Sequence, residues 1–195
     1  MQDSNLWLYT KMGPLQDDLC PRWFVMRDLK RPNAKEPAYK LLADRGMEVF
    51  TPLTRRFNKN REWEERPLIH GLLFVHETRK NLNPVVDKVP TLQYRYLPRK
   101  RQEPMVVPDA DMERFIRAVN AADSLRYYLP EEITPQMCGR KIRIIGGPLN
   151  GYEGKLLTIR GSRTKRLLVE LPGFLIAGIE VNPEFIQLLK PSPAS

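Results

Sequence analysis

Two cysteines and two histidines are all that this 195-residue chain offers to thiol, imidazole or soft-metal chemistry. Cys20 and Cys138 stand far apart with no C-x-x-C between or around them. A disulfide framework and a redox motif are therefore not expected, and a reduced, cytoplasmic compartment is the natural reading. His70 and His76 have no third ligand at a metal spacing, so neither a metal nor a cofactor is expected. The chain also lacks G-x-S-x-G and any Cys/His signature, and it is not expected to be an enzyme. Long hydrophobic runs are missing: no stretch of about 18 uncharged apolar residues occurs, which excludes a membrane-spanning helix. Residues 1–20 have no basic start followed by an unbroken apolar core, so they read as a polar extension and not a signal peptide. Glycine is scarce, at 11 against 18 prolines. Proline at ~9%, against roughly 5% on average, marks a much interrupted chain.

What the chain has is basic charge. Lys+Arg number 32 against 23 Asp+Glu, for a net charge of +9. That excess points to a polyanion or an acidic protein surface as partner. The acids are interleaved with the bases, unlike a coating tail. Apolar residues at 42% supply a core, and the length suits one or two domains.

Along the chain, Trp23-Phe24-Val25-Met26-Arg27 reads as a strand, and Lys35 to Arg45 as a helix with Gly46 behind it. Glu48-Val49-Phe50 is a second strand, ended by Pro52. Residues 54–66 form an exposed loop or hairpin carrying Arg55, Arg56, Lys59 and Arg61 with Phe57 and Trp63. Leu68 to Val75 is a nearly continuous apolar run, suited to a strand covered on both faces or to one with an outward apolar surface. A short helix runs near Leu82–Lys88 and a strand over Leu92–Leu97. The clearest helix opens at Pro108-Asp109, with a stripe of Met112, Phe115, Ile116 and Val119. Residues 123–137, with Pro130 and Pro135, read as a linker. Five short β-rich runs follow at 141–145, 155–159, 167–171, 176–181 and 185–189, which suggests a small barrel closed on itself.

Within the second part stands Gly139-Arg140-Lys141-Ile142-Arg143-Ile144-Ile145-Gly146-Gly147-Pro148-Leu149-Asn150-Gly151-Tyr152-Glu153-Gly154-Lys155. Basic residues alternate with Ile, Gly-Gly-Pro turns, Gly151 permits positive φ, and Gly154 allows a close approach. Neither nucleotide-binding glycine pattern fits: Leu149 stands where the first Gly of G-x-x-x-x-G-K would be, and Pro148 replaces a Gly of G-x-G-x-x-G. The segment resembles the KOW motif that opens an SH3-like barrel. With it, Trp23-Phe24-Val25, Val49-Phe50-Thr51-Pro52, Arg66 to Val75, and Val89-Pro90 ahead of Tyr94 and Tyr96 resemble the NGN domain of the NusG family. The resemblance covers residues 21–190. It implies an α+β fold in which an NGN-type antiparallel sheet with helices precedes a small all-β SH3-like (KOW) barrel. The implied parts are an extension (1–20), an RNA polymerase-binding domain (21–122), a linker (123–137), the barrel (138–190) and a tail (191–195).

The resemblance further implies contacts. An apolar depression formed by Phe50, Pro52, Ile69, Leu72, Phe74 and Tyr94 would hold the clamp helices of the large RNA polymerase subunit. Lys30, Arg31, Lys35, Arg55, Arg56, Lys59, Arg61, Arg99, Lys100 and Arg101 are candidates for contact with upstream or non-template DNA, and Phe57 and Trp63 for stacking on unpaired bases. Leu149, Asn150, Gly151, Tyr152 and Phe174 would meet a KOW-domain partner, either a ribosomal protein or the termination factor Rho. No membrane partner is implied. The function implied is a bacterial elongation factor or antiterminator that suppresses pausing or termination. Ile69-His70-Gly71-Leu72 and Gly147-Pro148-Leu149 replace the family's aromatic residues, as in a specialised paralogue serving long operons such as surface-polysaccharide loci. The rival reading is a KOW-type RNA-binding protein of the translation machinery.

Overall fold

Two aromatic residues and a β-branched one, Trp23, Phe24 and Val25, favour extended backbone in the first strand, β1 (Arg22–Asp28), and that strand is the axis of the first sheet. The computed structural model describes residues 19–30, 36–57, 61–97, 100–157 and 164–189. Strand β1 pairs antiparallel with β5 (Leu72–Glu77) on one side and β6 (Leu92–Tyr94) on the other, with β2 (Glu48–Phe50) outside β5. A two-residue strand, β9 (Val106–Val107), also pairs with β1. The helices α1 (Ala38–Ala43) and α2 (Arg79–Lys88) are amphipathic, and their Ala38, Leu42, Leu82 and Val85 join one core with Phe24, Met26, Leu73, Val75, Leu92 and Tyr94.

Register decides which side chains share a face, because residues directly opposite in an antiparallel ladder point the same way. Val75 lies opposite Phe24, and Tyr94 opposite Met26, so all four face the helices. Phe74 lies opposite Val25, and Phe50 opposite Phe74, so these face the other way with Trp23 and Leu72. That second face is buried as well: Trp23, Val25, Leu72 and Phe74 are all below 7% exposed.

The apolar run at Leu68–Val75 becomes a strand only at Leu72. Gly71 takes φ +74 there, and a Cβ on it would lie 2.5 Å from the Asp28 carbonyl oxygen. Only glycine fits so close an approach, so Ile69 and His70 belong to a turn. Helix α1 is shorter than the span expected for it. Pro37 precedes it without a side-chain cap, and the Asp28 carboxylate supplies one instead, accepting from the Ala38 amide (2.7 Å) and the Lys30 amide (2.9 Å). Two small ladders stand apart from the main sheet. One joins β3 (Leu53–Phe57) to β4 (Trp63–Pro67), and the other joins β7 (Tyr96–Leu97) to β8 (Lys100–Pro104).

The chain divides into two units, residues 1–109 and 110–195. The division falls at the start of helix α3 (Asp109–Asn120), between its first and second residues. Phe115 of that helix stacks on Tyr127, and the Arg114 guanidinium donates to the Glu153 carbonyl while the Tyr152 hydroxyl donates to the Arg114 carbonyl. Residues 123–137, expected as a linker, contribute a strand: β10 (Leu125–Tyr128) pairs with β14 (Leu175–Glu180). Two 3-10 turns, at Pro130–Glu132 and Pro135–Met137, lead to β11 (Cys138–Ile144). With β12 (Glu153–Leu157), β13 (Arg166–Leu171) and β15 (Ile186–Leu188), the sheet runs β10-β14-β13-β12-β11-β15, antiparallel throughout. Each of the five expected β runs contains a strand, and residues 158–159 of the second lie outside the described residues. Among the described residues the pairing runs from β10 to β15, a small all-β domain after the mixed first unit, as expected. Gly154 comes so near β13 that a Cβ would lie 2.3 Å from the Leu168 carbonyl oxygen, and Gly151 takes φ +84.

Candidate protein and nucleic-acid interfaces

The six residues expected to form one apolar depression do not share a face. Tyr94 is in the helix-covered core, where its hydroxyl donates to Asn83 of α2 at 2.8 Å. Phe50, Leu72 and Phe74 lie on the opposite face, with the Phe50 and Phe74 ring centroids 6.2 Å apart. Phe74 and Leu72 are buried, as is Pro52, whereas Phe50 on the outer strand and Ile69 in the turn are half-buried. The accessible part of this face is therefore Phe50, and Ile69, half-buried, lies in the turn that leads into β5. Alternation along β5 explains the split, since a single strand cannot offer Leu73 and Phe74 to the same neighbour.

The basic stretch at 54–66 folds as the β3–β4 hairpin. Its register sets Arg55 opposite Glu65, Arg56 opposite Glu64 and Phe57 opposite Trp63. Arg55 Nε donates to Glu65 at 3.1 Å, and Arg66 donates to Glu64 at 2.8 Å. The Glu64 carboxylate holds the Arg66 guanidinium above its ordinary range, chiefly through that hydrogen bond. Exposed pairs of this kind contribute little to stability. Their larger effect is on local charge: the arms of the hairpin are near neutral, and the like-charge repulsion expected at 55–61 is relieved by acids on the facing strand. Phe57 and Trp63 lie in tilted contact with centroids 3.9 Å apart, and both are well exposed. Arg61, also exposed, takes a left-handed φ of 62° beside them.

Lys30 donates to the Glu36 carbonyl at 2.7 Å. Arg31, Lys35, Lys59 and Arg99 lie outside the described residues, and for Arg56, Lys100 and Arg101 only placement on β3 and β8 is described.

In the second unit, the glycine-rich turn is built as its residues require. Asn150 accepts from the Gly146 amide at 2.8 Å, and the Asn150 amide donates to the Gly147 carbonyl. Leu149, expected at the partner surface, is instead 7% exposed and packs inward. Tyr152 is half-buried and tied to Arg114 of α3 by its hydroxyl and by a cation–π contact of 5.9 Å. Asn150 and Gly151 are exposed and Phe174 is half-buried. The exposed apolar side chains are others: Ile145, Phe185 and Leu188. A Cβ at Gly146 would touch the Phe185 ring at 3.1 Å, so the glycine pair that shapes the turn also seats this ring. Sequence reasoning missed Phe185 because one aromatic in an Asn-Pro-Glu-Phe-Ile stretch reads as core. Beside the turn, Glu153 accepts from Arg143 and ion-pairs with Lys141, which together hold its carboxyl below the usual carboxylate range, Arg143 contributing most.

Residues 21–116 match the family model described as "Transcription termination factor nusG". Among solved structures, the chain is similar to one described as "Domain interaction in Thermotoga maritima NusG". The two are 15% identical with a TM-score of 0.43, over 87% of this chain and 98% of that one. No curated protein matches the chain. Among the described residues no helix is long and apolar enough to cross a membrane.

Proposed function

Because this chain belongs to the NusG family through residues 21–116, we propose that it is a transcription elongation factor or antiterminator that binds RNA polymerase and suppresses pausing or termination. The observation that carries the reading is the two-sided apolar sheet. Strand β5 is apolar at Leu72, Leu73, Phe74 and Val75, while α1 and α2 share a core with only one of its faces. A sheet that turned its second face to water would alternate polar with apolar there. Most of that face is buried within the chain, and its half-buried margin at Phe50 is the apolar part that fits a protein partner.

The contact is assigned to Phe50, Pro52, Ile69, Leu72 and Phe74, with Phe50 its accessible part, and the partner is the clamp helices of the large polymerase subunit. Tyr94 takes no part. Binding energy that favours the closed clamp shifts its population and needs no chemistry from this chain. The basic residues of the first unit serve upstream or non-template DNA, and the second unit recruits a ribosomal protein or Rho near Asn150, Gly151 and Phe174. The departures at Ile69-His70-Gly71-Leu72 favour a specialised paralogue. The family domain lends no support to a KOW-type RNA-binding protein of the translation machinery.

Capture of the full chain by core RNA polymerase tests the reading. Ile69→Asp places a charge in the half-buried turn that leads into β5 and should abolish capture while leaving the far-ultraviolet circular dichroism unchanged. Undiminished capture by that folded variant refutes the contact.

A further inference from the structure

We propose that β15 is a docking edge for an extended acidic peptide of a partner protein, taken up as a further strand beside it. Register sets the geometry. The Leu189 amide donates to the Lys141 carbonyl at 3.0 Å, and the Ile145 amide donates to the Phe185 carbonyl at 2.8 Å. Lys141 with Leu189, Arg143 with Gln187 and Ile145 with Phe185 are therefore the hydrogen-bonded pairs of this ladder. Ile186 and Leu188 fall between them, so their N–H and C=O groups point away from β11. The Ile186 amide is taken up by the Pro183 carbonyl in the turn before it. The Ile186 carbonyl and both backbone groups of Leu188 are left along the outer edge, where β15 pairs with no further strand among the described residues. Natural edges are blunted by charge, proline or a bulge. Ile186-Gln187-Leu188 carries none of these. Leu188 is 55% exposed although it lies opposite the fully buried Ile142. The apolar side of the sheet thus runs out to its edge uncovered, and an apolar residue on an added strand would cover it.

The occupant follows from charge. Lys141 lies opposite Lys155 and Arg143 opposite Glu153, so these four share the other face of the sheet, three cations against one carboxylate. Gln187 of β15 lies opposite Arg143 and continues that face to the edge without a charge of its own. A strand that alternates apolar with acidic residues meets both faces: its apolar side chains lie beside Leu188 and its carboxylates toward Lys141 and Arg143. Main-chain bonds then supply affinity and the alternation supplies selectivity. A second copy of the chain would bring the same cations to the other flank of the junction. Pro191 and Pro193 make the chain's own tail a poor added strand. The edge uses none of Asn150, Gly151 and Phe174, so it is a surface additional to the one proposed above for the second unit.

The test uses the full chain with a synthetic peptide of about eight residues that alternates valine with glutamate, and its valine–lysine counterpart. The valine–glutamate peptide should bind more tightly, the more so at low salt. It should also slow hydrogen exchange of the Leu188 amide, which should exchange fast without peptide. Leu188→Pro removes the outward donor and keeps the Gln187 and Leu189 amides that hold β11. It should weaken binding roughly three- to tenfold, the equivalent of one hydrogen bond, and continued protection of the Gln187 amide shows that the ladder survives. Lys141→Glu should erase the preference for the acidic peptide. Binding of neither peptide, or an unchanged affinity in the Leu188→Pro chain, overturns the proposal. Equal binding of both peptides by the wild-type chain overturns the choice of an acidic partner. Slowed exchange at Gly151 and Phe174 with Leu188 unaffected places the peptide elsewhere and overturns the edge. A Leu188 amide already protected without peptide also overturns it. Protection that grows with protein concentration then assigns the edge to a second copy, and protection independent of concentration assigns it to the chain itself.

Discussion

Whether residues 125–128 are linker or strand can be decided by one side chain on the neighbouring strand. Gly178 of β14 lies opposite Arg126 of β10, and a Cβ built on it would come within 2.6 Å of Tyr128 Cε2, against 3.3 Å to the Arg126 carbonyl oxygen. Its φ lies outside the left-handed region, so alanine meets no backbone strain there and the crowding comes mainly from the tyrosine ring. Tyr128 is 5% exposed, with the Arg126 guanidinium 5.3 Å over its ring, and has little room to give way. Overpacking of this kind costs about 1–3 kcal/mol, which is the expected destabilisation by Gly178→Ala. Tyr128→Ala alone should cost about 3–5 kcal/mol, as for other buried aromatics. In the Tyr128→Ala background the ring is gone, and Gly178→Ala should become neutral or favourable by up to about 1 kcal/mol, through the smaller entropy of the unfolded chain. The sign of one substitution thus reverses with the state of another, far outside the ~0.5 kcal/mol scatter of independent sites. Hydrogen exchange of the Leu168 and Val169 amides in β13 reports opening of this sheet without interference from the first unit. Gly178→Ala costing the same in both backgrounds would refute the packing of Tyr128 on β14 and return the segment to a linker.

Two further expectations follow from the geometry. Burial pushes the Tyr127 phenol up to about 12 from 10.0, so folding favours the neutral form. That contribution is complete below pH 10 and is lost as pH rises from 10 through 12; an absorbance titration should show one phenol ionising near 12, absent in Tyr127→Phe, and ionisation of every tyrosine near 10 would contradict the burial. Asp28→Ala removes both the remote cap on α1 and the acceptor for the Lys30 amide, and should cost about 1–2 kcal/mol in urea unfolding, with Asp28→Asn costing less; an unchanged midpoint would mean that the helix start is held some other way.

What could be read before the fold was known follows from the range of each interaction. Helix α3 was legible because Met112, Phe115 and Ile116 repeat at helical spacing, and the glycine turn because Gly151 and Gly154 carry their reasons locally. Strand β10 was not: Tyr127 and Tyr128 suit a strand, but Pro130 and Pro135 dominate that stretch, and the partner that makes it a strand lies about fifty residues away in β14. Tyr94 was placed wrongly for a related reason. Its alternation within β6 is visible, yet which face it joins depends on pairing with Met26, a register that neither strand encodes alone. The same holds for charge. Glu64 and Glu65 look like dilution of a basic loop until the hairpin sets them across from Arg56 and Arg55. Pairing then makes the arms of the hairpin near neutral, so the charge of that stretch is set by strand register and not by its count of bases.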